Sequence, residues 1–95
     1  MEWSGVNLRK TARGRDCQVR IPGVCNFNPE TTVLAHVRLS GITGVAQKAP
    51  DLLGAWCCSD CHTVTERAKF DNGIQRAFLE GVIRTQYQLI KEGLI

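Results

Sequence analysis

The sequence lacks the long apolar segments that would tie it to a membrane or an export route. None of its 95 residues belongs to a run of roughly 18 consecutive apolar side chains, the length that a membrane-spanning helix requires. The first ten residues, MEWSGVNLRK, contain no apolar stretch of the kind found in secretory signal peptides. We therefore expect a soluble, cytoplasmic protein without a membrane partner. Its length allows one compact domain but not two independent cores.

A phosphate-binding motif is also missing. Gly41 and Gly44 lie in a glycine-rich stretch, but no Gly-Lys-Ser/Thr follows them, so the sequence gives no support to nucleotide hydrolysis. The chain shows no internal repeat and no low-complexity tract. Histidine is scarce as well, because His36 and His62 are the only two.

Cysteine, in contrast, is abundant for a chain of this size. Five cysteines are present, and an odd number fits poorly with a closed set of disulfides. A reducing cytosol would keep these thiols free to bind a metal ion. Because a core this small contributes only a few kcal/mol of net stability, metal binding is a common supplement. The composition therefore favours structural zinc over disulfides.

The spacing of the cysteines indicates which of them bind the metal. Cys58-Ser-Asp-Cys61 is a pair with two intervening residues, which lets both thiolates face one tetrahedral ion. Cys17 and Cys25 have seven intervening residues, a spacing wider than usual, but a hairpin turning at Pro22-Gly23 would bring them together. We predict one structural zinc ion bound by these four cysteines.

Two alternatives to this assignment remain open. Cys57 can replace Cys58, since Cys57 and Cys61 are also suitably spaced, although we favour Cys58 and interpret Cys57 as a buried thiol. A redox-active Cys58-Cys61 disulfide is the other reading, but such motifs normally follow a strand in a thioredoxin-like βαβ unit, which the sequence does not predict.

The predicted elements form a small α+β domain. Residues 1–14 lack hydrophobic periodicity and are expected to form an extended, basic amino-terminal arm, with a single domain over residues 15–95. The predicted elements of the domain are two short strands within residues 17–24, a strand over 33–39, an irregular loop over 40–50, a helix over 61–70 and a helix over 74–90.

The final helix has the clearest pattern, with apolar residues three or four apart along one face. Asn72 and Gln75 resemble a capping pair, and Gly73 is placed to end the preceding helix. Lys91 and Gly93 are typical of a helix end. We interpret the helix as a packing element, with a dimer interface as the alternative.

Basic residues are concentrated in the first 20 positions, which carry five basic and two acidic side chains, while the remaining chain carries seven of each. These basic side chains can neutralise the phosphates of a nucleic acid or can form a solvated surface. Arg38 and Arg67, which follow the two histidines in the sequence, can likewise bind phosphate or remain solvated surface charges. The candidate nucleic-acid contacts are Arg13, Arg15, Arg38 and Arg67.

The two histidines are the candidates for chemistry. Histidine readily takes a proton near neutral pH, so His36 on its predicted strand can act as a general base, or it can be a hydrogen-bonded core residue. His62 directly follows Cys61 and would point away from the cysteine site, where it can bind a second metal. It can also replace a cysteine as a zinc ligand, or simply be exposed.

Taken together, Cys17…Cys25, Leu34-Ala35-His36-Val37 and Asp51…Cys58-Ser-Asp-Cys61-His62 resemble the HNH endonucleases, whose ββα-metal hairpin is held by zinc knuckles. The longer segments RKTARGRDCQVRIPGVCN, PETTVLAHVRL, APDLLGAW and CSDCH resemble the YbcO nuclease family of lambdoid phages and prophages. The resemblance spans roughly residues 8 to 93. It implies a zinc-stapled ββα-metal core followed by a carboxyl-terminal packing helix.

The resemblance also implies an activity. In HNH enzymes the first histidine activates water for attack on a phosphodiester, and one divalent metal, here Mg²⁺ or Mn²⁺, stabilises the developing charge. Those roles would fall to His36 and to a metal at His62, with DNA as the substrate. The chain departs from the pattern at Ala35, where many members place an acidic residue or histidine.

Other positions of the HNH pattern are matched only in part. Asp51 stands where an asparagine is usual, and it can orient His36 or cap a turn. Asp60 and Glu66 are possible replacement ligands. The alternative function is therefore a zinc-stapled nucleic-acid-binding module without catalysis.

Overall fold

The computed structural model describes residues 7–38 and 49–95. Over these ranges the chain is a small α+β protein with one two-stranded sheet and three α-helices. The elements, in chain order, are α1 (Leu8–Thr11), a 3₁₀ turn (Pro29–Thr31), β1 (Val33–His36), a 3₁₀ turn (Asp51–Leu53), β2 (Gly54–Cys57), α2 (Ser59–Arg67) and α3 (Asn72–Lys91). The residues of the predicted irregular loop from 40 to 48 lie outside the described ranges.

Strands β1 and β2 are antiparallel. Val33 pairs with Cys57 at one end of the ladder, and His36 pairs with Gly54 at the other. The strand predicted from the β-branched sequence of residues 33–39 is confirmed as far as His36. Sequence analysis did not predict β2, because its four residues, GAWC, are all buried and show no alternation of apolar and polar side chains.

Helix α3 packs along β2 and covers the sheet. Its inward face carries Phe78, Val82 and Leu89, all buried. Thr85 is buried too, and its hydroxyl accepts a hydrogen bond from the Trp56 amide at 3.0 Å while donating to the Gly81 carbonyl at 2.8 Å. This threonine therefore satisfies a backbone amide of β2 that has no partner in β1.

Gly81 allows α3 to approach the segment that carries Cys17. A Cβ atom at this position would lie 2.7 Å from Val19 Cγ2 and 3.0 Å from the Val19 Cα atom. The same segment is held from the other side by the sheet, since the Gln18 amide donates to the Trp56 carbonyl at 2.7 Å. The first cysteine is thereby fixed between α3 and β2.

The two strands predicted within residues 17–24 are wrong. The segment forms an irregular chain of turns, although the predicted turn at Pro22-Gly23 is confirmed by a hydrogen bond from the Val24 amide to the Ile21 carbonyl and a φ of +75° at Gly23. The segment does not pair as a hairpin because its amides are directed to cysteine sulfur atoms and to the β2 carbonyl.

The extended conformation predicted for residues 1–14 is wrong over residues 8–11, which form α1. Asn7 caps this helix by accepting from the amides of Arg9 and Lys10. Leu8 and Ala12 are buried in a cluster with Trp56 and Leu89. Burial of these two side chains explains why the segment folds onto the protein; residues 1–6 lie outside the described ranges.

The helix ends also differ from the prediction. Helix α2 begins at Ser59 and ends at Arg67 rather than spanning residues 61–70, and Gly73 belongs to the first turn of α3 instead of ending α2. The cap of α3 is Asp71, whose carboxylate accepts from the Ile74 amide at 3.0 Å. Gln75 does not act as a capping partner, because its side-chain amide donates to the carbonyls of Thr65 and Ala68 at the end of α2.

The predicted stop near the carboxyl terminus is confirmed, with Gly93 at a φ of +71° just beyond α3. Among the described residues no helix is long and apolar enough to cross a membrane.

Candidate metal centre and active site

Four cysteines converge at one point of the fold. The sulfur atoms of Cys17, Cys25, Cys58 and Cys61 all lie within 4.8 Å of one another, and the Cys25 and Cys58 sulfurs are 3.9 Å apart. Cys17 and Cys25 come from the turn segment, Cys58 is the cap of α2, and Cys61 lies in the first turn of that helix. These four cysteines, hereafter the cysteine cluster, can hold a metal ion.

Backbone amides point at the sulfur atoms of the cluster. The Arg20 amide donates to Cys17 Sγ at 3.5 Å, and the Cys61 amide donates to Cys58 Sγ at 3.4 Å. The Phe27 amide makes the corresponding bond to Cys25. Arg20 and Phe27 both have a φ of +54°, a conformation uncommon for residues other than glycine. The backbone therefore adopts strained conformations where its amides face thiolates.

The cluster has the protonation behaviour expected of a cation site. The pKa of Cys17 is lowered to about 4, chiefly by a hydrogen bond from the Cys57 thiol. Burial raises the pKa values of Cys25 and Cys61. Repulsion from the Cys17 thiolate adds to the rise in the pKa values of Cys25 and Cys61. A bound cation would remove this penalty and let all four coordinate as thiolates.

Cys57 is fully buried and lies beside the cluster rather than in it. Its pKa is raised, first by the hydrogen bond it gives to Cys17 and then by burial, so it remains a neutral thiol. Cys58 is therefore a member of the cluster, and Cys57 lies next to it and donates a hydrogen bond to Cys17.

His36 stands at the end of β1 in contact with Asp51, the first residue of the second 3₁₀ turn. His36 Nε2 lies 2.6 Å from Asp51 Oδ1, and Arg9 Nε lies 3.3 Å from the same oxygen. The Asp51 carboxylate is therefore directed at both His36 and Arg9. The hydrogen bond from His36 holds the pKa of the Asp51 carboxyl below its usual value, and the carboxylate stays ionised at neutral pH.

His62 lies on α2 with its side chain 40% exposed. Its Nε2 atom is 3.6 Å from Glu66 Oε1, four residues further along the helix. The same Glu66 oxygen lies 3.5 Å from Arg38 Nη2. His62 is not a member of the cysteine cluster, so among the described residues the ligand set of that cluster is four cysteines.

One pocket, with a volume of about 640 Å³, joins the two histidines. Arg38, Glu66 and Lys69 also line it, and its remaining lining is mostly apolar. His36 and His62 are 26 residues apart in sequence, but the antiparallel sheet and the turn from Cys57 into α2 place both on this cavity.

The other predicted nucleic-acid contacts lie elsewhere. Arg13 and Arg67 are exposed and do not line the pocket. Arg15 forms a two-pronged ion pair with Glu92, with Nη2 2.6 Å from Oε1, and its guanidinium lies 4.7 Å above the centre of the Trp56 ring. Two of the five N–H donors of this guanidinium are therefore engaged by Glu92.

Two site residues were not singled out from the sequence. Arg9 was interpreted only as part of a basic arm, yet it contacts Asp51. Lys69 was missed, although His62, Glu66 and Lys69 are spaced as a helix face, and this spacing was the available signal. Asp60, considered as a metal ligand, is exposed and does not line the pocket.

Comparisons with known proteins agree with one another. The family model described as "Putative nuclease YbcO" matches residues 6–94. Two relatives are each 55% identical to this chain over 93 residues, which cover 95% of this chain and 97% of the relative. They are described as "Putative nuclease YbcO" from Escherichia coli strain K12 and "Putative nuclease ybcO" from Enterobacteria phage 82.

A solved structure is similar over the same region. It is described as "Structure of a putative bacteriophage protein from Escherichia coli str. K-12 substr. MG1655" and superposes with a TM-score of 0.74. The two chains are 51% identical, and the match covers 92% of this chain and all of the other. Sequence and structure lead to the same conclusion: the chain belongs to the YbcO family.

Proposed function

We propose that the protein is a metal-dependent endonuclease of the HNH type, which hydrolyses phosphodiester bonds in DNA and carries a structural zinc ion. The observation that supports this proposal most directly is the shared pocket, where His36, held by Asp51, and His62 line one cavity. The names of the relatives, which describe nucleases, support the same class of reaction. Such an enzyme would act in the cytoplasm, where its thiols stay reduced.

The cysteine cluster fits zinc. Thiolates bind Zn²⁺ at about 2.3 Å in a tetrahedron, whose edges are then about 3.8 Å, and Cys25 and Cys58 are 3.9 Å apart. Four protein ligands fill a tetrahedral site and leave no position for water, as in zinc sites with a structural role. We therefore assign zinc the role of joining the turn segment to α2.

The order of elements supports the HNH reading. The chain runs from β1, which carries His36, through β2 to α2, which carries His62, and the two strands are antiparallel. This is the order that a ββα-metal core requires. Helix α3 then packs on β2, as expected for a carboxyl-terminal packing helix.

His36 is the proposed general base. Because Asp51 is ionised, it accepts a hydrogen bond from Nε2–H of His36, and Nδ1 then carries the lone pair of the neutral ring. Nδ1 would then take the proton from a water molecule as that water attacks phosphorus. Arg9, which also contacts Asp51, helps to keep the carboxylate in place.

His62 and Glu66 are the proposed protein ligands of the catalytic metal. Mg²⁺ or Mn²⁺ bound here would stabilise charge on the phosphate and the leaving oxygen. Ions of this class commonly keep several waters and use one or two side chains together with substrate phosphates, so a set of two protein ligands fits. Glu66 would compensate for Ala35, which cannot bind metal.

Arginine side chains complete the proposed site. Arg38 lines the pocket and is mostly exposed, so its guanidinium can turn from Glu66 to a phosphate of the bound strand. Arg13 and Arg67 remain proposed contacts to the strand on either side, because both are exposed.

The alternative is a zinc-stapled nucleic-acid-binding module without catalysis, and Ala35 is the observation that favours it. Incubation of purified protein with supercoiled plasmid and Mg²⁺ or Mn²⁺ separates the two functions. We expect nicking by the wild type and a loss of about 10²- to 10⁴-fold in His36→Ala. Partial rescue of that variant by added imidazole would identify the base. Equal nicking by both proteins would exclude His36 from catalysis.

A further inference from the structure

The pocket shared by the histidines is larger and more apolar than hydrolysis of a phosphate requires. A phosphodiester is small and charged, and its recognition needs donors and cations rather than apolar surface. The cavity of about 640 Å³ nevertheless has an apolar side formed by Phe78 and Val82 from α3, with Leu53 beside them. Its size falls in the range typical of pockets that hold small organic molecules.

The rim of the pocket carries an exposed aromatic side chain. Phe70 lies in the turn between α2 and α3 with 97% of its surface exposed, and Leu79 on α3 is 53% exposed beside the same cavity. Exposure alone is not informative, since Phe27 is 80% exposed and does not line the pocket. The position of Phe70 at the mouth of the pocket is what requires an explanation.

Two cationic side chains and one acidic side chain, Glu66, line the same cavity. Arg38 and Lys69 line the cavity, so an occupant that is flat and apolar on its faces and joined to negative charge would be complementary to it. A nucleobase attached to its phosphate backbone has this combination. Stacking of single-stranded bases on aromatic side chains beside a basic groove is a common mode of binding.

We propose that the pocket seats an unpaired nucleobase next to the scissile phosphate, with the ring stacked on Phe70, so that single-stranded or locally unpaired DNA is the preferred substrate. The proposal rests on the nuclease function proposed above. In a duplex both faces of a base are covered by its neighbours and its edge is paired, so the base enters such a pocket only after it leaves the stack.

Binding measurements test the pocket without depending on cleavage. In the His36→Ala background, fluorescein-labelled single-stranded DNA is titrated against the parent, against a second substitution Phe70→Ala, and against Phe27→Ala as the matched exposed-phenylalanine control. We expect Phe70→Ala to weaken binding about tenfold, or about 1.4 kcal/mol, and Phe27→Ala to leave it unchanged. Equal affinities in all three proteins would overturn the proposal.

Cleavage by the wild type then separates the two proposals. Single-stranded DNA, the matching duplex and the same duplex with a mismatched bubble are compared with Mg²⁺ or Mn²⁺. We expect the first and third substrates to be cut at least about tenfold faster than the paired duplex. Equal rates on all three would leave the nuclease function standing and refute the pocket assignment. If no substrate is cut, the nuclease function fails, and the binding result alone decides the base pocket.

Discussion

Replacing Cys58 or Cys57 with serine should have very different effects, although the two cysteines are adjacent and both fully buried. Cys58 belongs to the cysteine cluster, and Cys57 only donates a hydrogen bond to one of its members. Serine is a poor zinc ligand at neutral pH, so Cys58→Ser should remove one of the four ligands that close the site. Cys57→Ser should leave all four in place.

The expected magnitudes follow from these positions. Structural zinc contributes about 10–16 kcal/mol of apparent binding free energy in small zinc domains, which is comparable to the whole free energy of unfolding of a typical protein, about 5–15 kcal/mol. Cys58→Ser should therefore be unfolded or close to it. Cys57→Ser introduces a hydroxyl into a buried position, at a cost of about 1–3 kcal/mol, and should lower the Tm by about 4–24 °C.

Zinc content and thermal unfolding are the measurements for both variants. We expect about one zinc per chain in the wild type and in Cys57→Ser, and much less in Cys58→Ser. Addition of a strong chelator should lower the Tm of the first two proteins to a common low value. A Cys58→Ser protein that keeps its zinc and its stability, or a Cys57→Ser protein that loses zinc, would refute the assignment.

Five further substitutions test the packing, the proposed site and one surface ion pair. Gly81→Ala should lower the free energy of unfolding by about 1–3 kcal/mol, because the new Cβ atom would meet the Val19 backbone. Gly73→Ala should raise the free energy of unfolding by up to about 1 kcal/mol, because its Cβ atom would contact only Asp71 Oδ1, at 3.4 Å. Denaturant unfolding checks both signs. Thr85→Val should cost about 1–3 kcal/mol in the same assay because it leaves the Trp56 amide unpaired. Asp51→Asn should slow plasmid nicking about 10- to 100-fold, the equivalent of a hydrogen bond to a charged group, with wild-type zinc content; unchanged nicking would exclude it as the positioning residue of His36. The hydrogen bonds from Arg15 lower the pKa of Glu92 to about 2, so the ionised carboxylate should stabilise the protein above its ordinary pKa of 4.5. This contribution is lost as the pH falls toward 2. The Glu92→Gln protein should therefore lose less stability than the wild type between pH 6 and pH 3.

The cysteine cluster could be predicted from sequence because ligand spacing is a local property. The pair Cys58 and Cys61 required only the geometry of one helix turn. The choice between Cys57 and Cys58 required tertiary information, since it depends on which way the chain enters α2. The prediction of a hairpin between Cys17 and Cys25 was wrong for a related reason: β-branched composition indicates strands, but the amides of this segment bond to sulfur atoms instead.

The active-site contacts were harder to predict because they join distant parts of the chain. The sequence left open whether Asp51 orients His36 or caps a turn, and in the structure its carboxylate lies 2.6 Å from His36 Nε2. No periodicity could have indicated it, since the two residues are 15 positions apart and part of the intervening segment has no regular pattern. Strand β2 was missed because fully buried strands lack the alternation on which strand prediction depends.

The geometry links the cysteine cluster to the proposed chemistry through two short connections. Cys61 and His62 are adjacent on α2, so a metal ion bound at the cluster would also hold the start of the helix that carries His62. His36 is fixed separately, by its pairing with Gly54 in β2, and β2 runs directly into Cys58. A change at the cluster would therefore move His62 relative to His36 without touching either side chain. Under the proposed function, a variant that weakens zinc binding without unfolding the protein should lose nicking activity before it loses the β1–β2 sheet.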